Sequence, residues 1–196
     1  MKKINEIFYS LQGEGFHTGT PAIFIRFSGC NLHCSFCDTQ HQTGNEMTDD
    51  EIISEVTKYK DAPLIVLTGG EPSLFIDEYF IAKLKRATNA IIAIETNGTH
   101  SIPSNIDWIT LSPKYGFPGA ENAEVTLKKC DELKVVFLGQ DINEYLSIPA
   151  SYYFLQPCFS SDEEECKHNL KSTVQTVMEN PKWRLSLQTH RILNIR

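Results

Sequence analysis

The sequence predicts an α/β fold, a partial (β/α) TIM-like barrel of compact size, and three observations predict it. Strand-like and helix-like segments alternate, several strand candidates are continuously apolar, and polar, glycine or cysteine clusters recur just after them. Alternation implies right-handed βαβ crossovers and a parallel sheet. Continuous apolarity marks strands covered on both faces. Clusters at that phase fall at the carboxyl ends of the strands, where such folds gather their ligands.

The strand candidates, rich in β-branched and aromatic residues, span 22–28, 64–68, 91–95, 108–111, 133–138, 152–155 and 184–187. Between the first two, Thr48-Asp49-Asp50-Glu51 is a capping box that satisfies free amides at a helix start. Ile52, Val56 and Tyr59 follow at helical spacing, which gives a helix of about three turns. A second amphipathic segment, over 77–87, places Phe80, Ile81 and Leu84 on one side. A third, over 162–179, carries Leu170, Val174, Val177 and Met178. No repeat, low-complexity run or linker divides the 196 residues, so a single domain over 1–196 is expected. A complete eight-fold barrel needs about 250 residues, which leaves a partial barrel as the better fit.

Composition narrows the function. A hydrophobic share of 41% with 22% charged residues belongs to a globular chain and argues against disorder. Acidic residues outnumber basic ones by 25 to 18, giving a net charge of −7, the wrong sign for a general nucleic-acid binder. Apolar stretches such as 62–67 and 90–94 fall far short of the roughly 18–20 residues of a membrane span, so no membrane association is expected. The start, 1–11, lacks the apolar core of a secretory signal, and a reducing cytoplasm is the expected compartment. The six cysteines lie well under the roughly 8–10% of a disulfide scaffold. Three of them crowd into eight positions, which points to metal chemistry.

That crowd is Cys30-Asn31-Leu32-His33-Cys34-Ser35-Phe36-Cys37, a C-x3-C-x2-C loop. A structural zinc site closes with four ligands, and a cluster that only carries electrons takes four thiolates. Three thiolates on a [4Fe-4S] cubane would leave one iron open to a small molecule. Zinc held by the cysteines with His33 or His41 is the alternative, and inert buried thiols are the plainest one. Cys130, Cys158 and Cys166 are scattered without ligand spacing, although Cys158 follows Gln156-Pro157 and so falls near the rim. Arg26 stands inside the apolar run 22–27 and needs either an anion or an exposed face. Glu95 is under the same constraint after 91–94.

The cysteine loop after the first barrel strand resembles that of radical S-adenosylmethionine (radical SAM) enzymes. Further segments resemble the 7-carboxy-7-deazaguanine synthase family within them. They are 7–15 with Leu11-Gln12-Gly13-Glu14-Gly15, Arg26, Cys37-Asp38-Thr39, Thr68-Gly69-Gly70-Glu71-Pro72 and Glu95-Thr96-Asn97-Gly98. Ser112-Pro113-Lys114, Gln156-Pro157 and the tail from Leu187-Gln188-Thr189-His190 to Arg196 complete the set, so the likeness runs end to end. The short x3 spacing between the first two cysteines lacks the enlarged loop of some members.

The resemblance implies a radical SAM core and a lyase that turns 6-carboxy-5,6,7,8-tetrahydropterin into 7-carboxy-7-deazaguanine, with ring contraction and loss of ammonia, in queuosine and 7-deazapurine biosynthesis. It implies a [4Fe-4S] cluster on Cys30, Cys34 and Cys37, catalytic S-adenosylmethionine bound to the open iron, and hydrogen abstraction from substrate C6. It further implies cofactor contacts from Phe36, Cys37, Asp38, Gly70, Ser112, Pro113 and Lys114, and from Gln156, Pro157, Cys158 and Phe159. Gly70 is expected to give the methionine amino group close backbone approach. Thr39 is expected to ligate Mg2+, a cation that keeps most of its waters. Substrate contacts are implied for Leu11, Gln12, Gly13, Thr68 and Arg196, whose terminal carboxylate closes the pocket, and for Arg26 as a fork for the substrate carboxylate. A homodimer and a flavodoxin-type or other one-electron donor are the implied partners. Two other readings compete: a radical-generating activase of a glycyl-radical protein, and a zinc-binding structural module.

Overall fold

The computed structural model describes every residue except Asp38, Gln40, His41, Lys60 and Asn122. The strands are β1 (Lys2–Leu11), β2 (Pro21–Phe27), β3 (Asn45–Met47), β4 (Leu64–Gly69), β5 (Ile91–Thr96), β6 (Trp108–Leu111), β7 (Cys130–Phe137), β8 (Ala150–Pro157) and β9 (Trp183–Leu185). The helices are α1 (Asp49–Val56), α2 (Glu78–Thr88), α3 (Glu163–Glu179) and the short α4 (Thr189–Leu193). One sheet runs in the order β3-β1-β2-β4-β5-β6-β7-β8-β9. From β2 onward every pairing is parallel, whereas β1 joins β2 and β3 antiparallel. The sheet stays open, with β3 and β9 at its edges, and is the partial barrel the alternation predicts.

All seven expected strands and all three expected helices are present. The sequence pattern does not reveal β1, β3 or α4. In β1 a register shift between Ile4 and Glu6 breaks the period-two alternation, so no clean strand signature survives. The helix α1 opens with the expected capping box: Thr48 accepts from the Glu51 amide and the Glu51 carboxylate accepts from the Thr48 amide. The expected apolar side of α3 needs correcting. Met178 is 79% exposed and Leu170 also faces solvent, while Asn169 and Thr173 are the buried residues. These two polar side chains are satisfied: Asn169 donates to the Cys158 carbonyl at 3.0 Å and Thr173 to the Asn169 carbonyl at 2.6 Å. Val177, at the same i+4 spacing, extends this line into the core around Trp183.

The two faces of the sheet differ. On the outer face, Ile23, Ile25, Phe27, Ile65, Leu67, Ile92 and Ile94 pack against Ile52 and Val56 of α1 and Phe80, Ile81 and Leu84 of α2. Each fully buried side chain of this kind stabilises the fold by about 1.5–3 kcal/mol. Alternate residues point to the inner face, where Phe8, Ala22, Phe24, Leu64, Val66 and Ala93 form a smaller apolar cluster toward the amino ends of the strands. One step further along, the inner face becomes polar. Arg26 is in register with Thr68, Glu95 with Thr110, Thr110 with Glu132, and Glu132 with Tyr152. A row of hydrogen-bonding side chains thus crosses the sheet beneath the rim.

Candidate active site

A cavity opens above that row, and its lining joins the cysteine loop at the rim to the polar floor. The rim is held by short-range locks. Gly70 and Glu71 donate backbone hydrogen bonds to the Phe27 and Gly29 carbonyls, at 2.9 Å each, which ties the loop after β4 to the start of the cysteine loop. A Cβ on Gly70 would lie 1.9 Å from the Gly29 oxygen. Glycine is therefore required there by the approach of two loops, a different reason from the ligand approach expected from sequence. Glu71, 1% exposed, accepts from Thr96 Oγ1 and the Asn97 amide at 2.7 Å each, and from Ser73 Oγ at 2.7 Å. A buried carboxylate with these donors acts as a clasp between the ends of β4 and β5.

The cysteine loop is braced from two sides. His33 and Ser35 amides donate to the Gly119 and Pro118 carbonyls at 3.0 and 3.1 Å, and Phe36 meets Phe117 edge to face at 4.9 Å. On the other side Asn31 accepts from Asn97 Nδ2 at 3.1 Å and donates to Thr99 Oγ1 at 2.9 Å. So held, Cys30, Cys34 and Cys37 all line the cavity. Burial raises the Cys30 and Cys34 thiols above their ordinary range, and the charge of Cys37 raises both further. Lys114 opposes this at Cys34, since its ammonium faces the sulfurs. Three sulfurs that feel one another's charge beside a cation suit a negatively charged group bound through thiolates, which would displace their protons. Among the described residues, no three His, Cys, Asp or Glu side chains converge closely enough to share a single ion.

Around the sulfurs, Phe36, Thr39, Gly70, Ser112 and Lys114 line the cavity, and the Lys114 ammonium donates to the Ser112 carbonyl and hydroxyl at 2.7 and 2.6 Å. Gln156, Pro157, Cys158 and Phe159 line it from the end of β8. Pro113 is buried between its neighbours and is absent from the lining, and Asp38 lies outside the described residues. Leu11, Gln12, Gly13, Arg26, Thr68 and Arg196 all reach the cavity. Arg26, with its side chain 34% exposed, pairs with Glu6 at 3.3 Å. It has found both things its position requires, an anion and partial solvent contact. Arg196 pairs with the same Glu6, and both guanidinium groups lie over the Phe8 ring. The absent Cβ of Gly13 makes room for His190, whose Nδ1 would stand 2.4 Å from it, and Thr189 Oγ1 donates to the Gly13 carbonyl at 2.9 Å. The tail thereby packs on the loop between β1 and β2.

Sequence reasoning singles out Glu95 but misses the cation beneath it. Lys134 of β7 is 6% exposed, lines the cavity, and pairs with Glu14 and, at 3.2 Å, with Glu95. Glu95 also accepts from Thr68 Oγ1 at 2.7 Å and Gln12 Nε2 at 3.3 Å. Burial pushes the Glu95 carboxyl up, but Lys134 and these hydrogen bonds outweigh it and hold it below the usual range. Glu132 differs: burial pushes its carboxyl up, and Lys134 and the Phe16 amide offset only part of that. The available signal was Lys134 within the apolar run 133–137, the pattern that singles out Arg26.

A loop of three cysteines above a parallel strand, opening on a cavity at the carboxyl rim, defines a radical SAM protein. The family model described as the radical SAM superfamily matches residues 24–134. The crystal structure of QueE from Escherichia coli superposes with a TM-score of 0.73 at 27% identity, covering 95% of this chain and 93% of that one. The 7-carboxy-7-deazaguanine synthase of Bacteroides thetaiotaomicron is 58% identical over the whole of both chains. That of Flavobacterium psychrophilum is 38% identical over all of this chain and 93% of its own. The chain belongs to the 7-carboxy-7-deazaguanine synthase family of radical SAM enzymes. Membership brings a [4Fe-4S] cluster and S-adenosylmethionine as cofactors, a small-molecule substrate and an electron source. Among the described residues, no helix is long and apolar enough to cross a membrane.

Proposed function

We propose that the protein is a lyase that converts 6-carboxy-5,6,7,8-tetrahydropterin to 7-carboxy-7-deazaguanine with loss of ammonia, serving queuosine and other 7-deazapurines. The observation that carries this reading is one cavity lined both by the three rim cysteines and by a floor of hydrogen-bonding side chains. When bound, the cluster and S-adenosylmethionine supply one electron and a carbon radical; everything else falls to the chain.

Cys30, Cys34 and Cys37 would hold the cluster at the rim. Phe36, Gly70, Ser112, Lys114 and the 156–159 segment hold S-adenosylmethionine; the Lys114 ammonium, already near a hydroxyl and a carbonyl, is placed to receive a carboxylate. Thr39 ligates Mg2+, and Arg26 exchanges Glu6 for the substrate carboxylate. Gln12 and Thr68 present amide and hydroxyl groups to the pterin edge, while Leu11, Gly13 and Arg196 close over it. The tail packs on Gly13 through Thr189 and brings His190 and Arg196 to the wall of the cavity. The protein acts as a cytoplasmic homodimer supplied by a flavodoxin-type or other one-electron donor. The test is anaerobic reconstitution with iron and sulfide, reduction, and incubation with S-adenosylmethionine and the pterin. Formation of 7-carboxy-7-deazaguanine and ammonia in equal amounts is expected; reductive cleavage of S-adenosylmethionine that leaves the pterin intact contradicts the reading.

A further inference from the structure

We infer that Lys134 is a positioning residue for the substrate: from beneath the cavity it holds Glu14 and Glu95 as a pair of oriented acceptors for the donor edge of the pterin. The inference rests on the proposed substrate and deepens it. Lys134 stands on β7, Glu95 on β5 and Glu14 in the loop between β1 and β2, so one ammonium joins three separate elements. All three side chains line the cavity.

Each carboxylate keeps capacity for a ligand. An ionised carboxylate offers about four lone-pair sites. Glu95 spends them on Lys134, Gln12 and Thr68, leaving Oε2 with a single donor; Glu14 receives Lys134 on one oxygen and Gln188 on the other. A pterin carries an amino group beside a ring N–H, two parallel donors that match a carboxylate as a guanidinium does. A protonated carboxyl would set a donor against a donor.

The surrounding charges make Lys134 necessary. Glu14, Glu95 and Glu132 face it, and Lys114, from the loop after β6, is the other cation felt there. Lys114 already serves Ser112 and the sulfurs. Without Lys134, Glu14 and Glu95 at the cavity and the buried Glu132 beside them lose the cation they share, and neighbouring carboxylates disfavour one another's ionisation. A simple strut between β7 and the loop would cost stability equally at every pH; a residue that fixes protonation shows itself in the pH profile.

The experiment measures kcat and KM for the pterin with reconstituted full-length enzyme from about pH 6 to 9, a span across which a raised carboxyl titrates. Lys134→Met is expected to lose about 30-fold in kcat/KM at pH 7, mostly through KM, and to regain most of it by about pH 9. Lys134→Arg keeps the cation and the flat profile of the wild type. Lys134→Met with Glu14→Gln removes one stranded charge, so the acid limb moves back toward lower pH. It also keeps the test readable where the single variant folds poorly. A loss in Lys134→Met that is equal at all pH values, or an acid limb unchanged in the double variant, overturns the inference. Wild-type enzyme that never consumes the pterin refutes the substrate reading instead.

Discussion

The rim and the floor of the cavity are built in opposite ways. At the rim, Cys30, Cys34 and Cys37 are half-buried or exposed, and their loop is held by backbone and amide hydrogen bonds to neighbours such as Gly119, Pro118 and Asn97. At the floor, the buried Lys134 of β7 and the half-buried Glu95 of β5 and Glu14 of the loop between β1 and β2 hold one another. The rim is a frame completed by what it binds, whereas the floor carries its chemistry in its own charges. Removing a rim thiol should therefore cost the cofactor and spare the fold. Disturbing the clasps or the floor should cost stability or protonation and spare the cofactor.

The sharpest test of the rim is Cys30→Ala, Cys34→Ala or Cys37→Ala. Each leaves too few thiolates for the cubane, so iron and sulfide per chain and S-adenosylmethionine cleavage fall to background while thermal unfolding of the apoprotein stays within about 1 kcal/mol. A variant that kept its iron and its activity would break the contrast. Next is Gly70→Ala, whose Cβ meets the Gly29 carbonyl: about 3 kcal/mol or more of stability is lost in denaturant titration, because backbone has to move. Glu71→Ala strands the Thr96 hydroxyl and the Asn97 amide in a buried place, for a cost of about 2–3 kcal/mol in the same assay.

The floor predicts a pH effect of smaller size. The folded-state pKa of Glu132 lies above its usual 4.5, so the native state binds protons more tightly than the unfolded chain. Stability from this group accordingly falls as pH rises from about 4.5 through its folded value. Glu95 is shifted the other way, and its contribution is present above about 4.5 and lost as pH falls through its depressed value. Glu132→Gln, which keeps an acceptor for the Phe16 amide, should gain on the wild type in melting temperature as pH rises above about 4.5. A difference that does not change with pH contradicts the assignment. Smallest of all, Cys166→Ser, away from the cavity lining, should change iron content not at all and stability by under about 1 kcal/mol.

The same contrast explains what the sequence revealed. The rim could be read because its chemistry is contiguous: three cysteines in one loop, Gly69-Gly70-Glu71-Pro72 in another, Ser112-Pro113-Lys114 in a third. Parallel strands announced themselves by apolar runs, and α1 by its capping box. The floor could not be read as a unit, since Glu95, Glu132 and Lys134 come together only once register places them on one face and Glu14 reaches them from a separate loop. The strand β1 escaped because its bulge scrambles alternation, and the buried line of α3 because Asn169 and Thr173 find hydrogen-bond partners inside. Gly70 was read as a ligand contact and does line the cavity; its close approach to Gly29, in the loop after the neighbouring strand, could not be seen without the fold.

The claim that rim and floor serve one reaction is tested most directly with substrate carrying deuterium at C6. Reconstituted, reduced enzyme is given this pterin and unlabelled S-adenosylmethionine, and the 5'-deoxyadenosyl group is recovered and weighed by mass spectrometry. Deuterium moved from the pterin into that group, in wild type and lost with any of the three cysteine variants, is the predicted result. Turnover to 7-carboxy-7-deazaguanine with no deuterium transferred would show that the thiol-bound cofactor does not act on the molecule seated over Glu95 and Lys134.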